Sequence, residues 1–394
     1  MSAHTPARRR TLLSALVSAQ ESGLVLVIAL VMLGLTLRAD PVTQRSVERA
    51  PAGSVVAQTD TGFTISRPGG TPTTYLASDG YTVQESPGES PLIVRSRQVN
   101  GFLNAQNLVG LATAASFTAI MAVGMTGVIV MGGIDLSIGS IYALAAVAGA
   151  MALSSLDEQA SLAAALPVGL GAAMGVGGLC GLVNGAAIVG LRVHPFIITL
   201  GGMAIYRGIA FVVTKGESVT GAPTSYTGGF FKIVTAGVNP VPLALMALVA
   251  GLGVWCLART VFGRRLFAIG GNEIAARYAG VPVGRVKIGM YALVGALAGL
   301  AAAMMVGYYG AASSDTGQGY ELNVIAAAVV GGASLSGGRG SALGAMLGAL
   351  IIQLIENAIV ILHIDPNYKL IIIGVAIVLA VVIDQSKVHF SGRR

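Results

Sequence analysis

Asp135, Arg207 and Glu356 are ionisable side chains set inside or between long apolar runs of a 394-residue chain. A charge at membrane depth is expensive to hold, so it marks a partner, a polar path or a moving part. Asp135 lies in residues 128–140 (VIVMGGIDLSIGS), where Gly132 and Gly133 can release the backbone from helix and Ser137 follows. Its carboxylate can accept from free backbone N–H groups at the start of the next helix. That cap-and-hinge reading is preferred to direct contact with a transported molecule. A second run, residues 329–341 (VVGGASLSGGRGS), repeats Gly-Gly-x-x-Leu-Ser through Gly331, Gly332 and Ser336. Both runs lead into glycine-rich helices and are the gate or hinge candidates. Arg207 falls well inside an apolar run and needs an acid or a carbonyl as partner, with Glu356, Asp135 and Glu321 the acidic candidates. Asn184, Asn323, Gln353 and Asn357 also interrupt apolar runs. They either line a polar path or join helices, and joining is favoured.

No residue pattern supports catalysis. His4, His194, His363 and His389 are scattered without a second ligand at helical spacing, and no Ser/His/Asp arrangement can be argued. Cys180 and Cys256 lie in apolar runs, so neither a disulfide framework nor a metal site has the residues it needs. A phosphate-cradling P-loop requires Gly-Lys-Ser/Thr, and the chain has no Gly-Lys dipeptide. No catalytic residue, metal or cofactor is expected in this chain.

Residues 263–287 (GRRLFAIGGNEIAARYAGVPVGRVK) are basic and polar between two apolar runs. Asn272 can cap a short helix with Glu273 in its first turn, Glu273 and Arg277 pair at i,i+4, Gly280 supplies a left-handed stop, and Pro282 forbids resumption of the helix. Two turns are marginal alone in water, where about 12–15 residues are needed, so such a helix must be ordered by its surroundings. The segment reads as a docking surface for a cytosolic partner, against the plainer reading of a solvated loop.

The elements that hold these residues follow from composition. With 54% hydrophobic residues, 10% charged and a mean hydropathy of +0.77, the chain is a polytopic membrane protein. Apolar runs predict ten spans near 19–38, 105–131, 137–155, 161–190, 195–214, 241–259, 286–309, 321–334, 341–363 and 368–384. The fourth is long enough to be tilted or broken, and the eighth is short. The formal net charge of +7 follows membrane orientation rather than nucleic acid, since the basic residues lie beside apolar runs. Arg192, Arg259, Arg264, Arg265, Arg285, Lys287 and Arg339 fall on one side, with both termini, which the positive-inside rule makes cytosolic. Arg8, Arg9 and Arg10 ahead of the first run read as the flank of a retained helix rather than of a cleaved signal.

Glycines at 177, 181 and 185, and at 340, 344 and 348, line helix faces at four-residue spacing and favour close packing within the chain. Residues 39–100 break the composition, being rich in Thr, Ser, Pro and Gly. Alternating stretches such as Phe63-Thr64-Ile65 and Tyr81-Thr82-Val83 predict a small β-rich or partly disordered external insertion. It is either a docking surface for an extracytoplasmic partner or a tolerated insertion, and the latter is favoured.

Four runs together resemble one family: MGGIDLSIGS (131–140), HPFIITLGGMAIYRGIAFVVTKG (194–216), FGRRLFAIGGNEIAARYAGVPVGRVK (262–287) and GYELNVIAAAVVGGASLSGGRGS (319–341). The family is the membrane permease subunits of ATP-binding-cassette importers of the ribose, xylose and galactose type. The resemblance implies an all-α, ten-helix fold like that of cobalamin importers. It also implies a second permease chain as a homodimer, a cytosolic ATPase that binds ATP and Mg, and a periplasmic sugar-binding protein. The coupling segment of the family falls on Gly270, Gly271, Asn272, Glu273, Ala276, Arg277 and Gly280, with Arg264 and Arg265 ahead of it. The expected organisation is a cytosolic N-terminus and first helix (1–38), an external insertion (39–100), a permease core (101–385) containing the cytosolic loop 260–286, and a cytosolic tail (386–394). The expected location is the bacterial inner membrane. Residues 39–100 depart from the family pattern, whose members join their first two helices more briefly.

Overall fold

Helices form where the apolar runs predict them. The computed structural model describes residues 20–66, 70–85, 90–232, 240–376, 378, 379 and 382. Arg8–Arg10, the tail 386–394 and the end of the run 368–384 lie outside the described residues. The helices are α1 (Gln20–Arg38), α2 (Ala105–Val130), α3 (Ile138–Ser154), α4 (Leu162–Leu191), α5 (Pro195–Thr214) and α6 (Pro240–Arg259). There follow α7 (Val261–Gly271), α8 (Glu273–Tyr278), α9 (Val283–Tyr309), α10 (Tyr320–Val330) and α11 (Ala342–Ile361), and residues 369–376 are also helical. Among the described residues, seven helices (α1, α2, α4, α5, α6, α9 and α11) are long and apolar enough to cross a membrane, while α3 and α10 are apolar but shorter.

Two boundaries differ from the sequence reading, and the long fourth run is not broken. The fourth run forms one unbroken helix of 30 residues, α4, which at 1.5 Å per residue is about 45 Å long. Pro167 sits near its start and removes a hydrogen bond without ending it. Pro282 does not hold off the next helix: it occupies the N-cap of α9, where a missing N–H is no loss. The eighth run is helical only as far as Val330, because Gly331 and Gly332 turn the chain. The helix α7 has no counterpart in the sequence reading. Thr260 Oγ1 caps it by accepting from Gly263 N–H (3.0 Å), and its buried positions, Gly263, Leu266 and Ile269, recur every three residues.

The core of the larger unit, which comprises residues 1–32 and 109–394, is built on α4 and α9. The glycine stripe of α4 lies backbone to backbone on α9. A Cβ at Gly177 would collide with the Gly295 carbonyl, one at Gly181 with the Tyr291 carbonyl, and one at Gly185 would lie 2.8 Å from Ile288 Cα. Gly295 and Gly299 answer from α9, against Gly177 and Ala173. Small residues allow this approach, so dispersion acts between main chains rather than side-chain tips. On α11 the stripe is shorter than the sequence spacing predicts, because the helix begins at Ala342 and Gly340 lies ahead of it against Val130 and Thr126; Gly344 lies on Gly331 just past α10 and Gly348 on the Ala327 carbonyl. Both stripes are thus buried within the chain.

The smaller unit, residues 33–108, contains two antiparallel three-stranded sheets. One has the order β1 (Pro41–Arg49), β6 (Leu92–Asn100), β5 (Tyr81–Gln84), and the other β2 (Val55–Thr59), β3 (Gly62–Ser66), β4 (Thr73–Leu76). Pro41 pairs with Asn100 and Arg49 with Leu92, which brings the two ends of the segment together. Strand alternation buries Phe63 and Ile65 with Ile93 and Ala50, and Tyr75 stacks on Phe63 with ring centroids 5.2 Å apart. The expected β-rich segment is therefore a folded body with its own small core.

Candidate coupling and hinge site

The capped segment folds by the residues that predict it. Asn272 Oδ1 accepts from Ala275 N–H (2.9 Å), and Arg277 pairs with Glu273 (3.1 Å). Gly280, at φ +80°, closes the helix while Val281 N–H reaches back to the Ala276 carbonyl (3.0 Å). Order is supplied from outside the helix. Lys287 Nζ in the first turns of α9 lies 2.7 Å from Glu273 Oε2, and Ala276 is buried. The opposite side is open: Ile274 and Tyr278 are 71% and 89% exposed.

Partial burial raises the Glu273 carboxyl, but hydrogen bonding and charge from Lys287, then from Arg277, outweigh it and hold it below the ordinary glutamate value. A carboxyl depressed by folding stabilises the fold above its unfolded pKa and loses that contribution as pH falls through the depressed value. The tie between α8 and α9 is therefore complete at neutral pH and fails only below the ordinary glutamate range, roughly pH 4.3. Amide-exchange protection across Ala275–Tyr278 should drop on acidification through that range, and Glu273→Gln should remove the pH dependence.

Upstream of α8 the chain touches both glycine loops at once. Gly338 N–H donates to the Val130 carbonyl at the end of α2 (2.8 Å), and Gly270 of α7 lies directly over this bond. A Cβ at Gly270 would collide with the Val130 carbonyl and stand 2.6 Å from Gly338 N. Gly337, at φ +82°, is also close to Gly270: a Cβ there would lie 2.8 Å from the Gly270 carbonyl oxygen. Gly271 faces open space. Arg264 and Arg265 lie on the exposed face of α7.

The two Gly-Gly runs end their helices with the same turn but in different register. After α2, Gly132 takes φ +81° and Gly133 N–H bonds the Val128 carbonyl (2.9 Å). After α10, it is the second glycine, Gly332, that takes φ +95°, and Ala333 N–H bonds the Ala328 carbonyl (2.9 Å). The shared Gly-Gly-x-x-Leu-Ser pattern is thus offset by one residue in space, and the two serines differ. Ser137 is fully buried, whereas Ser336 is exposed and makes no hydrogen bond among the described residues.

Ser137 belongs to a buried polar chain. The Tyr206 hydroxyl donates to Asn184 Oδ1 (2.9 Å), Asn184 Nδ2 to Ser137 Oγ (2.8 Å), and Ser137 Oγ to Asp135 Oδ1 (2.6 Å). Asp135 Oδ1 also accepts Ser137 N–H (2.9 Å), so the carboxylate fixes the N-cap residue of α3 rather than the first-turn donors. Its Oδ2 is buried without a partner among the described residues. The chain joins the loop to α4 and α5, while the Tyr291 hydroxyl of α9 reaches the Ile134 carbonyl (3.3 Å). Asn184 therefore joins helices, and Tyr206 and Tyr291 are members that sequence reasoning missed. A tyrosine in an apolar run reads as packing until its hydroxyl is seen to have a partner.

The remaining intramembrane polar residues form two separate groups. Arg207 Nη1 donates to the carbonyl oxygens of Ser314 and Thr316 (both 2.7 Å), in the turn between α9 and α10. Its hydrogen bonds go to carbonyls, not to Glu356, Asp135 or Glu321. Glu356 instead pairs with Lys369 (2.9 Å) and accepts from Asn323 Nδ2 (2.8 Å), with Asn357 next to it in α11.

Gly132, Glu273 and Arg277 line one cleft of about 930 Å³, so a hinge candidate and two coupling candidates share a cavity wall. These contacts form a joint: Lys287 ties α8 to α9, and Gly270 ties α7 to the end of α2 and to the loop between α10 and α11.

Residues 107–381, which hold this joint and exclude most of the smaller unit, match the family described as branched-chain amino acid transport system / permease component. The chain is 39% identical over 290 residues to the ribose import permease protein RbsC of Escherichia coli (strain K12), covering 73% of this chain and 88% of that protein. It is 35% identical over 302 residues to the galactose/methyl galactoside import permease protein MglC of Haemophilus influenzae (strain ATCC 51907 / DSM 11121 / KW20 / Rd), covering 73% and 88%. It is 34% identical over 283 residues to the autoinducer 2 import system permease protein LsrC of Enterobacter sp. (strain 638), covering 72% and 80%. No solved structure matches. The resemblance carried by the four sequence runs is borne out, and the chain belongs to this family of membrane transport permeases.

Proposed function

We propose that this chain is the non-catalytic permease subunit of an ATP-driven importer, and that it moves a monosaccharide, a pentose or hexose, delivered by a periplasmic binding protein. The observation that carries the reading is the contact of Gly270 with both Val130 and Gly338, within a chain 35–39% identical to two sugar import permeases. A cytosolic ATPase holding α8 would shift α7, and α7 cannot move without displacing the end of α2 or the loop between α10 and α11. ATP and Mg are bound and used in that partner, with no cofactor in this chain. Energy enters as a difference in the partner's contact with two states of the joint.

The fold proposed is a ten-span bundle of the cobalamin-importer type, paired with a second copy of the chain. Support comes from how helix ends associate. The ends of α2 and α7 meet the loop that joins α10 to α11, at Val130, Gly270 and Gly338. At the opposite ends Val219 bridges Ala312, Ser225 Oγ bonds the Ala160 carbonyl (2.7 Å), and Arg207 bonds Ser314. Both α3 and α10 run between these two sets, as short spans would. The positive-inside rule makes the Gly270 set cytosolic, with both termini, in the bacterial inner membrane. A cysteine scan tests this. With Cys180 and Cys256 replaced by alanine, Thr73→Cys and Ser225→Cys should react with an impermeant thiol reagent outside intact cells, and Ala275→Cys only after permeabilisation. External labelling at 275 would reverse the orientation.

Proteoliposomes holding this chain and its ATPase should accumulate labelled sugar only with loaded binding protein outside and ATP and Mg within the ATPase compartment. Uptake driven by a proton or sodium gradient without ATP would replace the reading with a secondary transporter. The similarity to LsrC favours autoinducer-2 as the second cargo, and the same assay with that ligand separates the two.

A further inference from the structure

The cleft shared by Gly132 and α8 has a chemistry that coupling does not use. Arg192, Arg277, Arg285 and Lys287 line it, with Glu273 as the acid among its lining residues. Glu273 is already engaged by Arg277 and Lys287. Arg192 and Arg285 are exposed and have no hydrogen bond or ion pair among the described residues. Arg192 is held at φ 56°, in the left-handed region, as the C-cap residue of α4. Two unspent guanidinium groups thus face a cavity whose net lining charge is positive.

The remaining wall is apolar. Ile188 and Val189 come from the last turns of α4 and Val283 from the first turn of α9, two helices long and apolar enough to span the membrane. Cationic groups above apolar helix ends suit an amphiphile lying at the boundary between headgroups and chains. Concavity favours a small headgroup over a broad acidic protein surface, and about 930 Å³ is the size class of small-molecule sites. Guanidinium forks match phosphate oxygens in geometry as well as charge.

We propose that this cleft binds the phosphodiester headgroup of an anionic phospholipid, with Arg192 and Arg285 as its phosphate ligands. The orientation argued above decides only which leaflet supplies the lipid. Lipid held here would lie against Glu273 and Arg277, so occupancy stiffens the base of α8.

The test uses purified full-length chain in neutral detergent, titrated separately with phosphatidylglycerol, phosphatidylcholine and inorganic phosphate. Retained lipid is counted by native mass spectrometry, and affinity is read from the rise in melting temperature. Phosphatidylglycerol should bind and stabilise, while phosphatidylcholine and inorganic phosphate at equal concentration should do neither. R192A/R285A should weaken phosphatidylglycerol about 30-fold, from the loss of two surface cations. R192K/R285K, which keeps the charge but loses the fork, should bind more weakly than wild type and more tightly than the alanine pair, which guards against a misfolded alanine pair. R45A/R97A, which removes equal charge from the β-sheet unit, should bind as wild type. Equal retention of phosphatidylglycerol by wild type and R192A/R285A overturns the proposal. Full protection by inorganic phosphate overturns it in favour of a soluble phosphate anion. Loss of ATPase co-purification in R192A/R285A with lipid binding intact makes the cleft a protein interface. None of these readouts involves transport, so they stand or fall separately from the importer assay.

Discussion

Gly270→Val should lower ATP-dependent uptake about 5- to 150-fold, the range that 1–3 kcal/mol of overpacking or lost coupling represents. The added carbons fall on the hydrogen bond between Gly338 N–H and the Val130 carbonyl, and all three groups are main chain, so no side chain can swing aside. The loops must part or α7 must lift. Either way α7 is disconnected from the end of α2 and from the loop between α10 and α11, while the α4–α9 core is untouched. ATPase co-purification should therefore persist, and hydrolysis should continue without matching uptake. Gly271→Ala is the neighbouring comparison: its methyl enters open space, so it should melt at the wild-type temperature. Wild-type uptake by Gly270→Val would mean that the joint does not transmit motion, and the functional reading would then rest on similarity alone.

Arg207→Leu should be the most damaging single change to folding. It strips the donor from two carbonyls, one of them on buried Ser314, at about 1–3 kcal/mol for each group left unsatisfied, or roughly 2–6 kcal/mol together. Yield of detergent-stable protein should fall sharply, and Arg45→Leu in the β-sheet unit should have little effect. Arg207→Lys is the informative intermediate, because an ammonium can donate to both carbonyls but from a shorter stem. Equal yields for Arg207→Leu and Arg45→Leu would show that the turn between α9 and α10 does not depend on the guanidinium.

What could be read from sequence divides by how local the physics is. Asn272, Glu273, Arg277 and Gly280 announce α8 because capping, i,i+4 pairing and a left-handed stop act within one or two turns. Lys287 was invisible as a partner of Glu273, since only the turn through Gly280 and Pro282 folds α9 back onto α8. Likewise α7 escaped notice because three glycines and two arginines break its apolar run, although Thr260 as cap and the spacing of Gly263, Leu266 and Ile269 were available signals. The partner of Arg207 could not be named, because backbone carbonyls carry no residue signature. In the glycine loops, Gly132 and Gly331 align by letter, yet the left-handed positions are Gly132 and Gly332. Residue identity alone does not say on which glycine a helix turns.

The main-chain contact between α4 and α9 bears on how the protein is made. The glycines of α4 leave the ribosome about a hundred residues before the backbone they fit, which at roughly 5–20 residues per second is on the order of ten seconds. During that interval α4 stands in the membrane with a bare furrow where its neighbour will lie. Lipid tails, or an insertase that shelters nascent helices, must occupy the furrow and then be expelled when α9 arrives. A translational pause between α4 and α9 would prolong that exposure and should lower the yield of folded chain.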